Sequence, residues 1–445
     1  MKYPRRLVSP CYPSPLSLST QFGDHIANFV DEELTVPFAL SAPISHSDEE
    51  RFSIAGPREF VAFQGENVVA GILTCGGLCP GLNDVIRALV GSLWSRYGVR
   101  QILGFRYGYY GLSKQGVLRH PPFELSPERL RSAHRLGGST LGSSRGEIEL
   151  DEMVETLLDK GITQLYCIGG DGTMRGATAL AQRLNERGVT LSVIGVPKTI
   201  DNDLPFVERT FGFDTAVSMA VEAVRAARAE ASSALRGVGV VKLMGRHAGF
   251  IAASAAIASR EADLVLIPEL PFEMLSRDQK RPKGIIPYLE QVLNERGEAV
   301  IIVAEGVGQG QEGQPRFVET QEKDASGNRR LGDAGQALCT ALKSSPYFSE
   351  PFNLKYIDPS YMIRATPVSS SDAMYCAQLA EDAVHAGMAG FTETLVGRWG
   401  GIGTLIPFSL IRGKEKRLDL DGTLWRNALE ATGQPSLLLS SDELE

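Results

Sequence analysis

The chain is short of the residues that staple folds, gather metals or cross membranes. Its 445 residues hold only six cysteines and six histidines. So few cysteines make no disulfide framework, which fits a reducing cytoplasm. Cys75 and Cys79 flank a turn, but no second Cys/His pair completes a zinc site, and the histidines are scattered. Long apolar runs are also missing. The most apolar uncharged stretches, residues 248–259 and 399–411, fall short of the roughly 20 residues that a spanning helix takes. The basic N-terminus (MKYPRRLVSPCYPSP) has no apolar core, so it does not read as a secretory signal. No GxxxxGK[ST] occurs, which excludes a P-loop NTPase. Nor is there an excess of positive charge. Lys plus Arg is 45 against 53 Asp plus Glu, a net charge of −8. Nucleic acid and anionic membranes are therefore not expected as partners. An anionic small substrate would need a local basic cluster.

What is present is ordinary for a globular protein: 43% hydrophobic and 22% charged residues. The length suggests about two to three domains. Residues 1–65 are rich in Pro and Ser and read as an extension partly ordered by packing on the body. From Val68 the pattern changes. Residues 68–73 form a continuous apolar run, as in a strand buried on both faces. A Gly-rich turn follows, then Val85, Ile86, Leu89, Val90 and Leu93 at helical spacing, with Gly98 as a stop. The unit recurs as a helix to Gly161, a strand at 164–168, a turn at 169–173, a helix to Gly188 and a strand at 191–196. A second block has strands at 238–243, 264–267 and 299–304 and helices at 249–259 and 284–296. Strands alternating with helices predict an α/β fold with parallel sheets. Residues 309–330 read as a polar surface excursion and 431–445 as a frayed tail.

Ligands of open parallel sheets sit at the carboxyl ends of the strands. Three polar, Gly-rich turns leave strands here: Gly76-Gly77 with Gly81, residues 169–173, and Pro197-Lys198-Thr199-Ile200-Asp201-Asn202-Asp203. Together they predict a phosphate site, because glycine admits an anion close to the backbone and helix N–H groups point at it. Asp171, set among glycines, suits Mg²⁺ on phosphate oxygens. Asp201 and Asp203 share one face if the segment is extended. A carboxylate there can take the proton of an alcohol that attacks a phosphoryl group. On its own, the pair reads more simply as solvated turn aspartates. Arg246 can hold a phosphate or sugar, Glu305 can bind sugar hydroxyls, and Lys355, Tyr361 and Arg364 form a third polar group. Each of these alone reads as a structural ion pair. The GxGxxG at 308–313 runs into polar loop with no helix, and no buried strand leads into the GxSxG at 142–146. Neither fits its usual context.

Six segments, in order, resemble the 6-phosphofructokinases: CGGLCPGLN (75–83), GGSTLGSSRG (137–146), GGDGT (169–173), PKTIDND (197–203), MGRH (244–247) and DPSYMIR (358–364). The resemblance spans about residues 55–406 and is nearest to the long ATP-using branch of plants and trypanosomatids. It implies two Rossmann-like parallel-sheet domains behind an N-terminal extension. Their bounds would be 66–212, with a return segment after about 364, and 213–363, with 364–445 packing on both. It implies that Gly77, Arg145, Gly146, Gly170, Asp171, Gly172 and Thr173 hold the nucleotide phosphates, with Asp171 on Mg²⁺. Arg106 to Leu112, with Tyr107, would lie near the nucleoside. Asp201 would be the catalytic base, Asp203 would support that site or the metal, and Lys198 and Arg246 would also be catalytic. Thr199, Ile200, Met244, Gly245, Arg246, Glu305, Lys355, Tyr361, Met362, Ile363 and Arg364 would bind fructose 6-phosphate.

Two positions pull the donor in opposite directions. Pyrophosphate users of the family carry Lys where Lys198 stands, and Asp where Gly172 stands. An Asp at 172 would put charge into the space for the α-phosphate, whereas glycine leaves it open. Lys198 only adds a cation and suits either donor. ATP is therefore the expected donor, and a pyrophosphate-dependent enzyme is the alternative. A non-catalytic regulatory paralogue would have lost Asp171, Asp201 or Arg246, and all three are present. The family resemblance implies a cytoplasmic homodimer or homotetramer. Short bacterial forms place a cross-subunit arginine seven residues before Met244, where this chain has Gly237 with Arg236 beside it.

Overall fold

The structure is a computed structural model that describes residues 4–38, 50–144, 146, 149–276, 282–310, 330–411, 413–436 and 438. It divides into two compact units. The first comprises Met1–Thr199, Leu204–Gly212 and Ala365–Glu415, and the second Ile200–Asp203, Phe213–Arg364 and Lys416–Glu445.

The first unit is built on a nine-stranded sheet among the described residues. Five neighbouring strands run parallel: Thr394–Trp399, Ser192–Pro197, Gln164–Gly169, Val69–Thr74 and Gln101–Gly104. Gln164–Gly169 and Ser192–Pro197 are buried along their whole length, which explains why they read as apolar runs without alternation. The flanks are antiparallel, so the sheet is mixed where a parallel one was expected. The cause is local. Gly400 and Gly401 both have positive φ (58° and 77°). They join Thr394–Trp399 to Ile402–Pro407 as a two-residue hairpin, the geometry in which both turn residues must be left-handed.

Beyond the hairpin lie Arg51–Ile54 and Thr35–Pro37. Part of the N-terminal extension thus joins the sheet. Val36 and Phe52 are buried, and Phe38 stacks on Phe52 at 3.9 Å between ring centroids. Strands this short show too little alternation to be found by periodicity. Two helices, Leu82–Arg96 and Ser370–Met388, pack against each other. The second of them was not foreseen.

Among the described residues, the second unit carries a four-stranded, all-parallel sheet in the order Leu264–Leu266, Glu298–Ala304, Gly237–Leu243, Asn353–Ile357. The Phe213–Ser232 helix lies against it, with Ala216, Ala220, Val224, Ala227 and Ala231 buried. Small residues on both sides allow a close approach. A Cβ on Gly237 would stand 2.0 Å from the Ala231 carbonyl oxygen, and one on Gly239 would stand 2.8 Å from that of Ala227.

The tail does not fray where it is described. After the Thr423–Thr432 helix, buried Gln434 accepts the Val265 N–H (2.6 Å) and donates to the Val265 carbonyl (3.2 Å). It thereby closes the outer edge of the sheet. Of the expected excursion at 309–330, residues 311–329 lie outside the described residues. Among the described residues, no helix is long and apolar enough to cross a membrane.

Candidate active site

In the first unit, strand order reverses at Val69–Thr74. The chain goes next to Gln101–Gly104 on one side and then to Gln164–Gly169 on the other. A crevice opens at the carboxyl ends of strands at such a point, and the predicted turns leave there. Lys198 ties two of them together. Its ammonium donates to the Gly77 carbonyl (2.8 Å), and its backbone N–H donates to the Gly169 carbonyl (2.9 Å). The 137–144 loop is laid against the first turn by three contacts. The Ser143 hydroxyl donates to the Gly76 carbonyl (2.5 Å), the Thr74 hydroxyl donates to that of Gly142 (2.6 Å), and the Asn83 amide oxygen accepts the Thr140 N–H (2.8 Å). Arg145 lies outside the described residues, and Gly146 is exposed.

Tyr107 is left-handed (φ 59°). Its ring fills the space that a Cβ on Gly142 would enter at 2.7 Å, and its edge meets His120 at 4.9 Å. Sequence reasoning missed His120, which belongs to no motif. The Tyr109 hydroxyl donates to the Thr173 carbonyl (2.6 Å), tying the 106–112 segment to the GGDGT turn.

Asp171 opens the 16-residue Asp171–Glu186 helix. Its carboxylate is 35% exposed and pairs with Arg175 at 3.2 Å. The first-turn N–H groups and the helix dipole favour an anion here. Gly172 contrasts with its neighbour Gly169. A Cβ on Gly169 would stand 2.1 Å from the Thr173 hydroxyl oxygen, whereas one on Gly172 would meet only the Arg175 guanidinium, at 3.8 Å. Nothing in the fold demands glycine at 172. Among the described residues, no three metal-ligating side chains gather. A single carboxylate fits Mg²⁺ that arrives on phosphate oxygens, because this ion takes one or two protein carboxylates and completes its shell from phosphate and water.

In the second unit, Asp201 is the focus. Its carboxylate accepts the Arg246 backbone N–H, so the PKTIDND and MGRH segments are joined. The carboxyl is pushed well above the ordinary aspartate range. Shielding from water is the largest cause, followed by the Asp203 and Glu305 carboxylates, while Arg364 and the Arg246 N–H pull the other way. The Glu305 N–H donates to the Leu243 carbonyl (2.8 Å), and the Gly306 N–H to that of Gly245 (3.0 Å). The turns leaving two paired strands are therefore stitched side by side. Gly245 has φ 130°, and a Cβ on Gly306 would stand 2.1 Å from the Arg246 carbonyl oxygen.

Arg364 ends the Phe213–Arg364 segment of this unit, on the short Ser360–Ala365 helix. Asp358 accepts the Ser360 N–H (3.1 Å) at the start of that helix and is held by Lys242 (2.7 Å). Tyr361 and Met362 are mostly exposed, whereas Met244, Ile200 and Ile363 are buried and offer only backbone to a ligand. Thr199 belongs to the first unit, where its carbonyl accepts the Thr210 hydroxyl (2.6 Å). The structure does not bring Lys355 to the others. It stands exposed on an edge strand, paired with Gly239, four residues before the Leu243 strand end.

The Phosphofructokinase family profile matches residues 69–387. The chain belongs to the phosphofructokinase family. It is 45% identical to the ATP-dependent 6-phosphofructokinase of Amycolatopsis methanolica, over 97% of this chain and 94% of that protein. It is 42% identical to ATP-dependent 6-phosphofructokinase 1 of Arabidopsis thaliana, over 98% and 90%. Its identity to the ATP-dependent 6-phosphofructokinase of Trypanosoma cruzi is 47%, over 85% and 76%. Among solved structures, the pyrophosphate-dependent phosphofructokinase of Marinobacter aquaeolei shares the fold, with a TM-score of 0.65, 21% identity, and 84% and 94% of the two chains covered.

This phosphofructokinase cannot carry an arginine at position 237, where the Ala231 carbonyl leaves no room for a side chain. Arg236 is committed inside the unit, to Glu290 (2.6 Å) and Asn294 (2.7 Å). Arg236→Ala should strip buried Glu290 of its ion-pair partner and leave it the Ser349 N–H and hydroxyl, at a cost somewhat below the about 3–5 kcal/mol of a wholly unpaired buried charge. Denaturant unfolding checks this. KM for the sugar phosphate should not change in the fraction that remains folded.

Proposed function

We propose that this phosphofructokinase transfers the γ-phosphoryl group of ATP to the 1-hydroxyl of fructose 6-phosphate, giving ADP and fructose 1,6-bisphosphate. The observation that carries the reading is the Asp201 carboxylate, anchored on the Arg246 N–H and raised in proton affinity by burial first and by Asp203 and Glu305 next. A general base works best with a pKa near the working pH. Asp201 accepts the 1-hydroxyl proton as that oxygen bonds to the γ-phosphorus and the bond to the ADP oxygen breaks. Gly77 and the N–H groups of residues 170–173 hold the donor phosphates, and Lys198 adds a cation beside them. Mg²⁺, bound through Asp171, would neutralise charge on the phosphate oxygens. Arg246 and Arg364 hold the sugar phosphate, and Glu305 accepts from sugar hydroxyls.

The open space at Gly172 and the names of the similar proteins support ATP as donor. Lys198 supports pyrophosphate no more than ATP, because its ammonium is held on the Gly77 carbonyl. A coupled assay with each donor decides the matter. Turnover with ATP is expected, and turnover with pyrophosphate alone would overturn the choice. We place the protein in the cytoplasm as a homodimer or homotetramer. None of the six cysteines forms a disulfide and five are buried, which suits a reducing compartment. Light scattering of the purified chain tests the assembly.

A further inference from the structure

Lys416 belongs to no motif, yet three of its contacts converge on the residues around the base. Its backbone N–H donates to the Asp203 carbonyl (2.8 Å). Its ammonium donates to the Asn202 side-chain oxygen (3.0 Å) and lies 5.2 Å from the centroid of the Phe250 ring. Phe250 opens the helix that follows Arg246 and His247. Asn202 is left-handed (φ 57°), a conformation that costs a non-glycine residue free energy and persists only where its surroundings hold it.

The strap that carries Lys416 is fixed two residues further on. The Leu418 N–H donates to the Glu269 carboxylate (2.8 Å), which also accepts the Gly249 N–H through both oxygens (3.0 Å each). Glu269 thus pins the strap to the start of the same helix. Leu418 is buried.

We infer that Lys416 is a positioning residue for the phosphoryl-transfer reaction: it holds the Asp201-Asn202-Asp203 turn in register with the helix after Arg246. The inference rests on Asp201 being the base. Asp201 lies between a residue strained into the left-handed region and a strand end, so its carboxylate is aimed by whatever fixes Asn202 and Asp203. The Lys416 backbone N–H fixes one and its side chain the other. Cation–π attraction to Phe250 sets the ammonium's place.

The test is Lys416→Met in the full-length protein, which keeps the chain length and the backbone N–H but removes the cation and the donor. A displacement of about 1 Å at a reacting group can cost about 100-fold, so kcat should fall about 10- to 100-fold. KM for fructose 6-phosphate should stay near the wild-type value, because Arg246 and Arg364 are untouched. Lys416→Arg should recover most of the loss. Asn202→Gly permits the left-handed backbone but removes the acceptor, so it should cost a similar factor. The double variant should be no worse than the worse single one, since both remove one interaction.

Normal kcat in folded Lys416→Met, or losses that multiply in the double variant, would overturn the inference. If Lys416→Met does not fold, Asn202→Gly decides alone, and normal kcat there sinks the idea. Wild-type protein that turns over neither donor would instead overturn the function beneath it.

Discussion

Asp201→Asn should lower kcat by about 10² to 10⁴, the usual worth of a general base. At about 1.4 kcal/mol per tenfold, this is roughly 3–5 kcal/mol of transition-state stabilisation. The amide keeps the shape of the carboxylate but cannot take the 1-hydroxyl proton. KM for fructose 6-phosphate should change much less. The pH profile should change as well. In the wild type, kcat/KM falls as the pH drops through the raised pKa of Asp201, and the variant should lack that limb.

The same substitution should stabilise the free protein. Because the Asp201 carboxyl is raised in the folded chain, the native state binds more protons than the unfolded one above the ordinary aspartate pKa. Stability therefore declines as pH rises from about 4, the ordinary value, up through the raised one. Asparagine removes the penalty. The Tm of the variant should match the wild type in acid and exceed it increasingly towards alkaline pH. A Tm below the wild type at pH 8, with kcat unchanged, would remove Asp201 from the mechanism and leave Asp203 as the next residue to examine.

Gly172→Asp should abolish the use of ATP without harming the fold. A Cβ here meets only Arg175, at 3.8 Å, and an acidic residue in the first turn of a helix is favourable. Tm should hold or rise slightly. An aspartate about 4 Å from a phosphate oxygen, at an effective dielectric near 20, is repelled by about 4 kcal/mol. That corresponds to a fall of about 10³ in kcat/KM for ATP. Kinetics with both donors check this. Unchanged ATP kinetics would show that position 172 does not face the nucleotide.

The central strands and the three Gly-rich turns were legible because each leaves a local mark, such as a continuous apolar run or a glycine cluster at its end. The Gly400-Gly401 hairpin also left a mark, a glycine pair between apolar runs, but the stretch was weighed only as a membrane span. The Phe213–Ser232 helix escaped notice because its buried face is mostly alanine, with only Val221 and Val224 strongly apolar. The Thr35–Pro37 and Arg51–Ile54 strands are too short to show a period. Within the site, motif residues carried their own signal. His120, Lys416, Glu269 and Lys242 did not. Lys416, Glu269 and Lys242 act on partners far away in sequence, where no spacing rule reaches, and His120 meets the nearby Tyr107 through a turn that has no motif.

The hydrogen bonds that extend the large sheet have a consequence for how the chain is made. Thr404 and Leu405 pair with Ile54 and Ser53 in that sheet, and in a separate two-stranded sheet Arg5 and Arg6 pair with Thr392 and Phe391. Segments near residues 5 and 53 thus find their partners far later in the chain, near residues 391 and 405. Until about residue 407 has emerged, the Arg51–Ile54 strand has no inner neighbour, and its buried Phe52 has no finished core to enter. Closing so long a loop is slow, and an unpaired edge invites association with other chains. Completion of the first unit waits on the hairpin, and nascent chains halted before it should be the ones that need chaperones.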